Sequence, residues 1–271
     1  MNKDLIEKYD FNFKKKFGQN FLNDRNILEN IIKKSEVDKN IFVIEIGVGA
    51  AALTEYLCQN AGFVLGYEID TTLNNIIEDK LSNYDNYNII FDDFLKRNIL
   101  EDLKNYKYEK IYVIANLPYY ITTPIIAKLI DEKIPVEKIV IMVQKEVGER
   151  FSAKIGSKEY NSLTIFLNYY FDINKIIDVS RNSFTPKPNV DSVIIEMKRK
   201  KINKYVKNEE KLFKLIRDSF KFKRKNLKNN LINYPHEKIL KVLKKYNLDL
   251  TVRAENLSLN QFIEISNEIE D

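Results

Sequence analysis

Hydrophobic residues in the first half of the chain fall in short runs separated by amphipathic stretches. Stretches with apolar positions near a 3.6-residue period predict helices, and these cover Arg25–Ser35, Leu53–Gln59, Thr72–Leu81, Thr123–Asp131 and Lys158–Tyr170. The apolar runs predict buried strands over Phe42–Ile46, Phe63–Glu68, Tyr87–Phe91, Ile111–Ala115 and Ile139–Val143. Strands that alternate with helices predict a doubly wound, Rossmann-like α/β sheet.

The pattern changes after this repeat. A run at Ile173–Val179, the turn-rich Phe184–Asn189 and the alternating Val193–Met197 predict a late antiparallel addition to the sheet. Beyond Lys200 no clear strand is visible, and helical patterns cover Glu210–Phe220, Arg224–Leu231 and Glu237–Tyr246. We therefore expect two domains, at residues 1–200 and at residues 201–271, the second small and all-helical.

Composition narrows the possible chemistry. The chain has 271 residues, of which 44% are hydrophobic, with a single cysteine, Cys58, and a single histidine, His236. This excludes a disulfide framework and a multi-cysteine metal site, so we expect no metal and a reducing compartment. The segment Met1–Lys16 is charged, and no stretch reaches the roughly 20 apolar residues that cross a bilayer. We expect a cytoplasmic monomer with no membrane partner.

Positive charge is concentrated in one segment, although the net charge is only +5. Between Lys200 and Tyr234 there are twelve lysine or arginine residues against Glu209, Glu210 and Asp218, so the rest of the chain is slightly acidic. Such a segment is either a solvated helix face or a surface that contacts phosphates.

A turn of small residues, Glu45–Thr54, follows the first predicted strand and contains Gly47 and Gly49. Small residues there let a nucleotide-like ligand approach the backbone, and Glu68, about 20 residues beyond, can accept hydrogen bonds from ribose hydroxyls. A dinucleotide-binding enzyme is the alternative. Ala52 occupies the third glycine position of that fingerprint, however, and the later motifs match no dehydrogenase.

The third and fourth predicted strands end in further polar residues. Asp93 can either accept the amino hydrogens of a cofactor adenine or cap a helix. The fourth strand ends in Asn116-Leu117-Pro118-Tyr119, which is typical of enzymes that methylate amino groups conjugated to an aromatic ring.

The chemistry of such an amino group explains this motif. Its lone pair is delocalised into the ring, so hydrogen-bond acceptors on its hydrogens are needed to restore nucleophilicity. The side-chain oxygen of Asn116 and the carbonyl of Leu117 are candidate acceptors, while Tyr119 stacks on the base and Pro118 stiffens the turn. No general base is required, and positioning for in-line attack supplies most of the rate.

Three segments carry a resemblance to the ribosomal RNA adenine dimethyltransferase family, and they are Lys16–Leu22, Glu45–Thr54 and Asn116–Pro124. The resemblance extends from Phe17 to Asn267 and implies a class I S-adenosylmethionine-dependent methyltransferase fold. It implies that the target adenine is held by Asn116 to Tyr119 and by Phe184, which would stack opposite Tyr119; a core aromatic is the alternative for Phe184. The implied contacts to S-adenosylmethionine are Asn20, Leu22, Gly47, Gly49, Glu68, Asp93 and Asn116.

Three further segments, Gln144–Phe151, Phe184–Ser192 and Arg253–Leu259, are similar to the small-subunit branch of this family. That branch implies dimethylation of two adjacent adenosines near the 3′ end of small-subunit (16S) ribosomal RNA in an assembling subunit. The chain departs from the usual pattern at Val48, Gly148 and Asn161. The resemblance assigns RNA contacts to the basic residues Lys221, Lys223, Arg224, Lys225 and Lys228.

Three alternatives stay open. The first is the large-subunit (23S) branch that confers macrolide resistance, which usually has Asn-Ile-Pro-Tyr. The second is a mainly non-catalytic assembly factor of the small subunit, although Asn116, Pro118 and Tyr119 are all intact. The third is a DNA adenine methyltransferase, which would need a larger target-recognition region than the segment after Lys200.

Overall fold

The computed structural model of the protein describes residues 20–201 and 205–271, so Lys16–Gln19 of the first motif and Lys204 of the basic segment lie outside the described residues. The chain forms two compact units. The first comprises the chain up to Gly148 together with Asn174–Arg199, and the second comprises Glu149–Ile173 together with Lys200–Asp271. This division differs from the predicted one because residues 149–173 belong to the C-terminal unit.

A seven-stranded sheet dominates the first unit. Its strands are β2 (Ile41–Ile46), β3 (Phe63–Glu68), β4 (Tyr87–Phe91), β5 (Lys110–Asn116), β6 (Val136–Gln144), β7 (Phe171–Val179) and β9 (Ser192–Arg199). The strand order is β4-β3-β2-β5-β6-β9-β7. Strands β2 to β6 pair in parallel, whereas β9 is antiparallel to β6. The predicted parallel sheet and its antiparallel addition are confirmed.

A short two-stranded ladder lies apart from this sheet. Strand β1 (Phe21–Leu22) pairs antiparallel with β8 (Phe184–Thr185), so that Leu22 is opposite Phe184. Both Phe21 and Phe184 are buried in the hydrophobic core of the first unit.

Helices connect the strands as the apolar period predicts. They are α1 (Arg25–Ser35), α2 (Ala52–Asn60), α3 (Asn74–Leu81), α4 (Ile99–Leu103), α5 (Thr122–Asp131) and α6 (Lys145–Phe151). Helix α1 has the predicted bounds because the Asp24 carboxylate caps its first turn. Helix α3 begins later than predicted because Asp70 caps a 3-10 turn over Thr71–Leu73. Helices α4 and α6 were not predicted.

The second unit is helical. Its helices are α7 (Ser162–Tyr170), α8 (Glu209–Ser219), α9 (Leu227–Asn230), α10 (His236–Lys244) and α11 (Leu259–Glu270). Ile165 and Tyr169 of α7 share a core with Leu212, Leu215 and Phe262. This packing explains why the segment that ends with α7, although it precedes β7, folds with the C-terminal helices; residues 171–173 of the same unit are the first residues of β7.

Two helix predictions in this unit are wrong in their bounds. The helix predicted over Lys158–Tyr170 begins only at Ser162, because the Asn161 side chain caps it there. The predicted helix over Arg224–Leu231 is only the single turn of α9, because the side chain of Asn226 accepts a hydrogen bond from the backbone of Asn229 and caps the helix there. Arg224 and Lys225 therefore lie in the preceding loop. Helix α11 was missed. No helix in the described ranges is long and apolar enough to cross a membrane.

Candidate active site

A cavity of about 330 Å³ lies in the first unit, at the carboxyl ends of the parallel strands. This is the edge at which open α/β sheets bind ligands. Leu117, Pro118 and Tyr119 line the cavity. Each residue that the resemblance assigned to the cofactor also lines it, and these are Asn20, Leu22, Gly47, Gly49, Glu68, Asp93 and Asn116.

The turn after β2 requires glycine at two positions. Gly47 has φ +79° and Gly49 has φ +58°, in the left-handed region that disfavours side chains. The Gly47 N–H donates to the Tyr67 carbonyl at 2.8 Å, which fixes the turn against β3. A β-carbon on Gly49 would lie 2.7 Å from the ring of Phe21. The turn therefore exposes backbone to the cavity.

The Glu68 side chain supports this turn. Its Oε2 accepts the Gly49 N–H at 2.7 Å, and its Oε1 accepts the Asp70 N–H at 2.8 Å. The side chain is nearly buried, and this burial raises the pKa of Glu68 above its ordinary value. Glu68 thus presents a hydrogen-bonding carboxyl group to the cavity from the end of β3.

Glu45, at the end of β2, is a further functional candidate, which the sequence pattern alone does not identify. Its side chain is 1% exposed, and its Oε2 has no hydrogen-bond partner within the described residues. Burial raises the pKa of Glu45 to about 8. Its position directly before the glycine turn was the signal available in the sequence. A buried polar atom without a partner on a cavity wall is a site for a ligand donor.

The Asn116 side chain has a defined orientation. Its Nδ2 donates to the Asn20 carbonyl at 3.1 Å. Because a carbonyl oxygen only accepts, this contact directs the amide nitrogen towards Asn20 and leaves Oδ1 as an acceptor. In the following turn the Pro118 carbonyl accepts the Ile121 N–H at 3.2 Å, whereas the Leu117 carbonyl accepts no backbone hydrogen bond from a described residue.

The Tyr119 ring is held from its hydroxyl end. The hydroxyl groups of Tyr119 and Ser192 are 2.8 Å apart, and Ser192 is fully buried at the start of β9. Burial raises the pKa of Tyr119, so the phenol is neutral at physiological pH. Ser192 lies in a segment that resembles the family, but it was assigned no role.

Two predicted residues have structural roles in the described geometry. The Asp93 Oδ1 accepts the Leu95 N–H at 3.0 Å and caps a 3-10 turn, so the capping alternative is confirmed while the side chain also lines the cavity. Phe184 is 4% exposed, packs in the core and does not line the cavity. Its placement matches the alternative of a core aromatic.

The basic residues Lys221, Lys223, Arg224 and Lys225 lie in the second unit, in the loop Lys221–Lys225 that connects α8 to α9, hereafter the basic loop. All are exposed, and none forms an ion pair with a described carboxylate. Three lysines on helices of the unit are paired with carboxylates, in the pairs Lys211–Glu270, Lys214–Asp218 and Lys241–Glu268. The basic loop is therefore an exposed positive patch, in which the Lys223 Nζ also donates to the Lys158 carbonyl at 2.9 Å.

Two departures from the family pattern have structural explanations. Asn161 caps α7 by accepting the backbone N–H groups of Leu163 and Thr164. A β-carbon on Gly148 would lie 2.2 Å from Val193, which explains the glycine there. Within the described ranges, no group of three His, Cys, Asp or Glu side chains could hold a metal ion.

Comparisons with known proteins cover nearly the whole chain. The model of a family described as "Ribosomal RNA adenine dimethylase" matches residues 10–271. A protein of Staphylococcus aureus named "Ribosomal RNA small subunit methyltransferase A" is 46% identical over 273 residues, which cover 97% of this chain and 92% of the relative.

Two solved structures are similar over both units. A dimethyladenosine transferase from Plasmodium falciparum has a TM-score of 0.78 at 28% identity, covering 92% of this chain and 97% of that chain. The 23S rRNA methyltransferase ErmE has a TM-score of 0.76 at 23% identity, covering 93% of this chain and 100% of that chain. The second likeness is evidence of a shared fold only.

Proposed function

Because this chain belongs to the ribosomal RNA adenine dimethylase family, we propose that it dimethylates N6 of two adjacent adenosines near the 3′ end of 16S ribosomal RNA in an assembling small subunit. The observation that carries this proposal is the Asn116–Tyr119 turn beside the glycine turn in one cavity. The 46%-identical relative is named for the small subunit. This favours the small-subunit reaction over the 23S alternative.

The cavity residues fit S-adenosylmethionine as the cofactor. The glycine turn lets a nucleoside approach the backbone, and Glu68 offers a carboxyl group to ribose hydroxyls. Glu45 offers a buried oxygen that lacks a partner among the described residues. Asn20, Leu22 and Asp93 complete the proposed cofactor contacts. When bound, S-adenosylmethionine supplies an electrophilic methyl group on a sulfonium.

The residues of this turn would prepare the adenine amino group for attack. Asn116 Oδ1 and the Leu117 carbonyl accept its two hydrogens, which returns electron density to the nitrogen. Tyr119 stacks on the base, and Ser192 fixes the tilt of that ring. The nitrogen becomes cationic once it is methylated, so its proton is lost to water without a dedicated base. In the second methylation the remaining N–H needs only one acceptor.

The basic loop would contact the RNA. Its exposed cations attract phosphates, so binding should weaken as salt rises, while the shape of the RNA selects the site. We place this activity in the cytoplasm, where bacterial small subunits assemble, and we assign it to a monomer.

The test is methyl transfer from labelled S-adenosylmethionine to unmethylated small subunits, with large subunits in parallel and nucleoside analysis of the product. Dimethyladenosine in the small subunit alone supports the proposal. Label in the large subunit would instead assign the 23S reaction. Binding to small subunits without label would assign the assembly-factor role, and inhibition by duplex DNA that itself becomes labelled would indicate a DNA methyltransferase.

A further inference from the structure

An aromatic side chain is exposed in the middle of the basic loop. Phe222 is 55% exposed and does not join the hydrophobic core of the second unit. The Lys221 Nζ lies 5.6 Å from the centroid of its ring. A single exposed apolar residue needs no explanation by itself, but Phe222 differs in how the loop holds its backbone.

One side chain fixes the backbone of this loop. Asn230 Oδ1 accepts the Phe222 N–H at 3.0 Å, and its Nδ2 donates to the Ser219 carbonyl at 2.8 Å. The same Nδ2 lies 3.3 Å from the carbonyls of both Phe222 and Lys225. The Lys225 N–H also donates to the Phe222 carbonyl at 2.9 Å. The turn that carries Phe222 is thus held by hydrogen bonds. Less conformational entropy is therefore lost when a ligand binds to Phe222.

The surrounding charge identifies the class of ligand. Lys221, Lys223, Arg224 and Lys225 are exposed cations without an ion pair to any described carboxylate. A flat apolar ring among such cations suits a polyanion that carries flat apolar groups. Single-stranded nucleic acid has this chemistry, because its bases stack on aromatic rings while its phosphates meet the cations. A duplex would hide the base faces.

We propose that Phe222 stacks on an unpaired base of the ribosomal RNA substrate, and that Asn230 is a positioning residue that holds the basic loop for this contact. This inference rests on the proposed function, and it adds a base contact to the phosphate contacts described above.

The experiment compares Phe222→Ala with Phe222→Trp in binding to unmethylated small subunits over a series of salt concentrations. Removing one base–aromatic stack weakens binding about 5- to 150-fold, whereas Phe222→Trp should retain the wild-type affinity. Phe222→Ala should leave the slope of log affinity against log salt unchanged, because no phosphate contact is lost. Lys223→Ala should reduce that slope by about one.

The chain contains no tryptophan, so Phe222→Trp provides a single fluorescent probe. Stacking should quench its emission when small subunits are added, and a saturating titration without quenching would overturn the proposal. Asn230→Ala should weaken binding while its thermal unfolding stays cooperative like that of the wild type, and Phe222→Ala in the same background should add little further loss.

Tyr246→Ala is the matched control, because this exposed aromatic lies after α10 and is hydrogen-bonded to Glu264. It should bind like the wild type. Equal affinities for Phe222→Ala and the wild type, with methylation intact, would refute the stacking contact alone. A wild-type protein that neither binds nor methylates small subunits would refute the proposed function instead.

Discussion

The Tyr119 hydroxyl lies 2.8 Å from the hydroxyl of Ser192, a residue 73 positions later in the chain. Ser192 begins β9 and pairs with Gln144 of β6, so its position is fixed by the sheet. The Tyr119 ring, which is proposed to stack on the substrate, is therefore tied to a rigid strand. This contact restricts the rotation of the Tyr119 side chain.

We predict that Ser192→Ala lowers kcat for methyl transfer with little change in KM. Loss of one neutral hydrogen bond corresponds to about a 2- to 12-fold decrease. Tyr119→Phe removes the same hydrogen bond and should have a similar effect. Because both variants break the same hydrogen bond, the double variant should be no slower than either single variant. Additive losses in this double-mutant cycle would contradict the positioning role.

Asn116 should be required for chemistry and dispensable for RNA binding. Asn116→Ala removes the acceptor Oδ1 and the contact to the Asn20 carbonyl, and we expect methyl transfer to fall at least about 100-fold, as for a misplaced reactant. Affinity for small subunits, measured by filter binding, should stay within about twofold of the wild type because the basic loop is unchanged. Methylation near the wild-type rate would contradict the acceptor role.

The strand ends of the first unit could be predicted from sequence because buried parallel strands have continuous apolar runs. The ends of β2, β3 and β5 place Gly47, Glu68 and Asn116 on one edge of the sheet, as expected. Local pattern determines these positions, and the sheet then brings them together.

Contacts between distant segments could not be predicted in this way. The pairing of Ser192 with Tyr119 depends on the register of β9, and the packing of Ile165 with Leu212 depends on which helices share a core. Phe184 illustrates the same limit, because an aromatic before a proline-rich turn is equally consistent with a core position and with a binding surface. The hydrogen bonds by which Asn230 holds the basic loop likewise leave no periodic pattern in the sequence.

Gly49→Ala should abolish much of the cofactor affinity. The added β-carbon would meet the Phe21 ring at 2.7 Å in a turn whose φ is +58°, so the cavity wall must shift. Gly156→Ala is the matched control, because Gly156 also has a positive φ, of +83°, but its nearest neighbour is at 3.6 Å. Both variants should lose about 1 kcal/mol of stability from backbone strain.

Calorimetry should show that the affinity for S-adenosylmethionine falls more than tenfold in Gly49→Ala and not in Gly156→Ala. Equal loss of cofactor affinity in Gly49→Ala and Gly156→Ala would attribute the effect to general destabilisation rather than to the turn.

Glu45 should make the free energy of unfolding depend on pH. Its pKa is about 8 in the folded chain against 4.5 as the ordinary value. Between these values the folded protein keeps a proton that the unfolded chain has lost, so stability falls as pH rises, by at most about 1.4 kcal/mol per pH unit. Glu45→Gln cannot ionise, and its stability relative to the wild type should therefore increase from pH 5 to pH 8.

Urea denaturation of the cofactor-free protein at several pH values measures this difference. A difference in the free energy of unfolding that is the same at every pH would reflect only the packing of the new amide. The prediction therefore concerns how this difference between Glu45→Gln and the wild type changes with pH. Glu68, whose pKa is also raised by burial, contributes in the same direction in both proteins, so the variant's own profile should slope less without becoming flat. Glu101→Gln, at an exposed position beside Lys104, should follow the wild-type profile. Parallel profiles for Glu45→Gln and the wild type would show that the pKa of Glu45 is the same in the folded and unfolded chains, which would contradict the prediction.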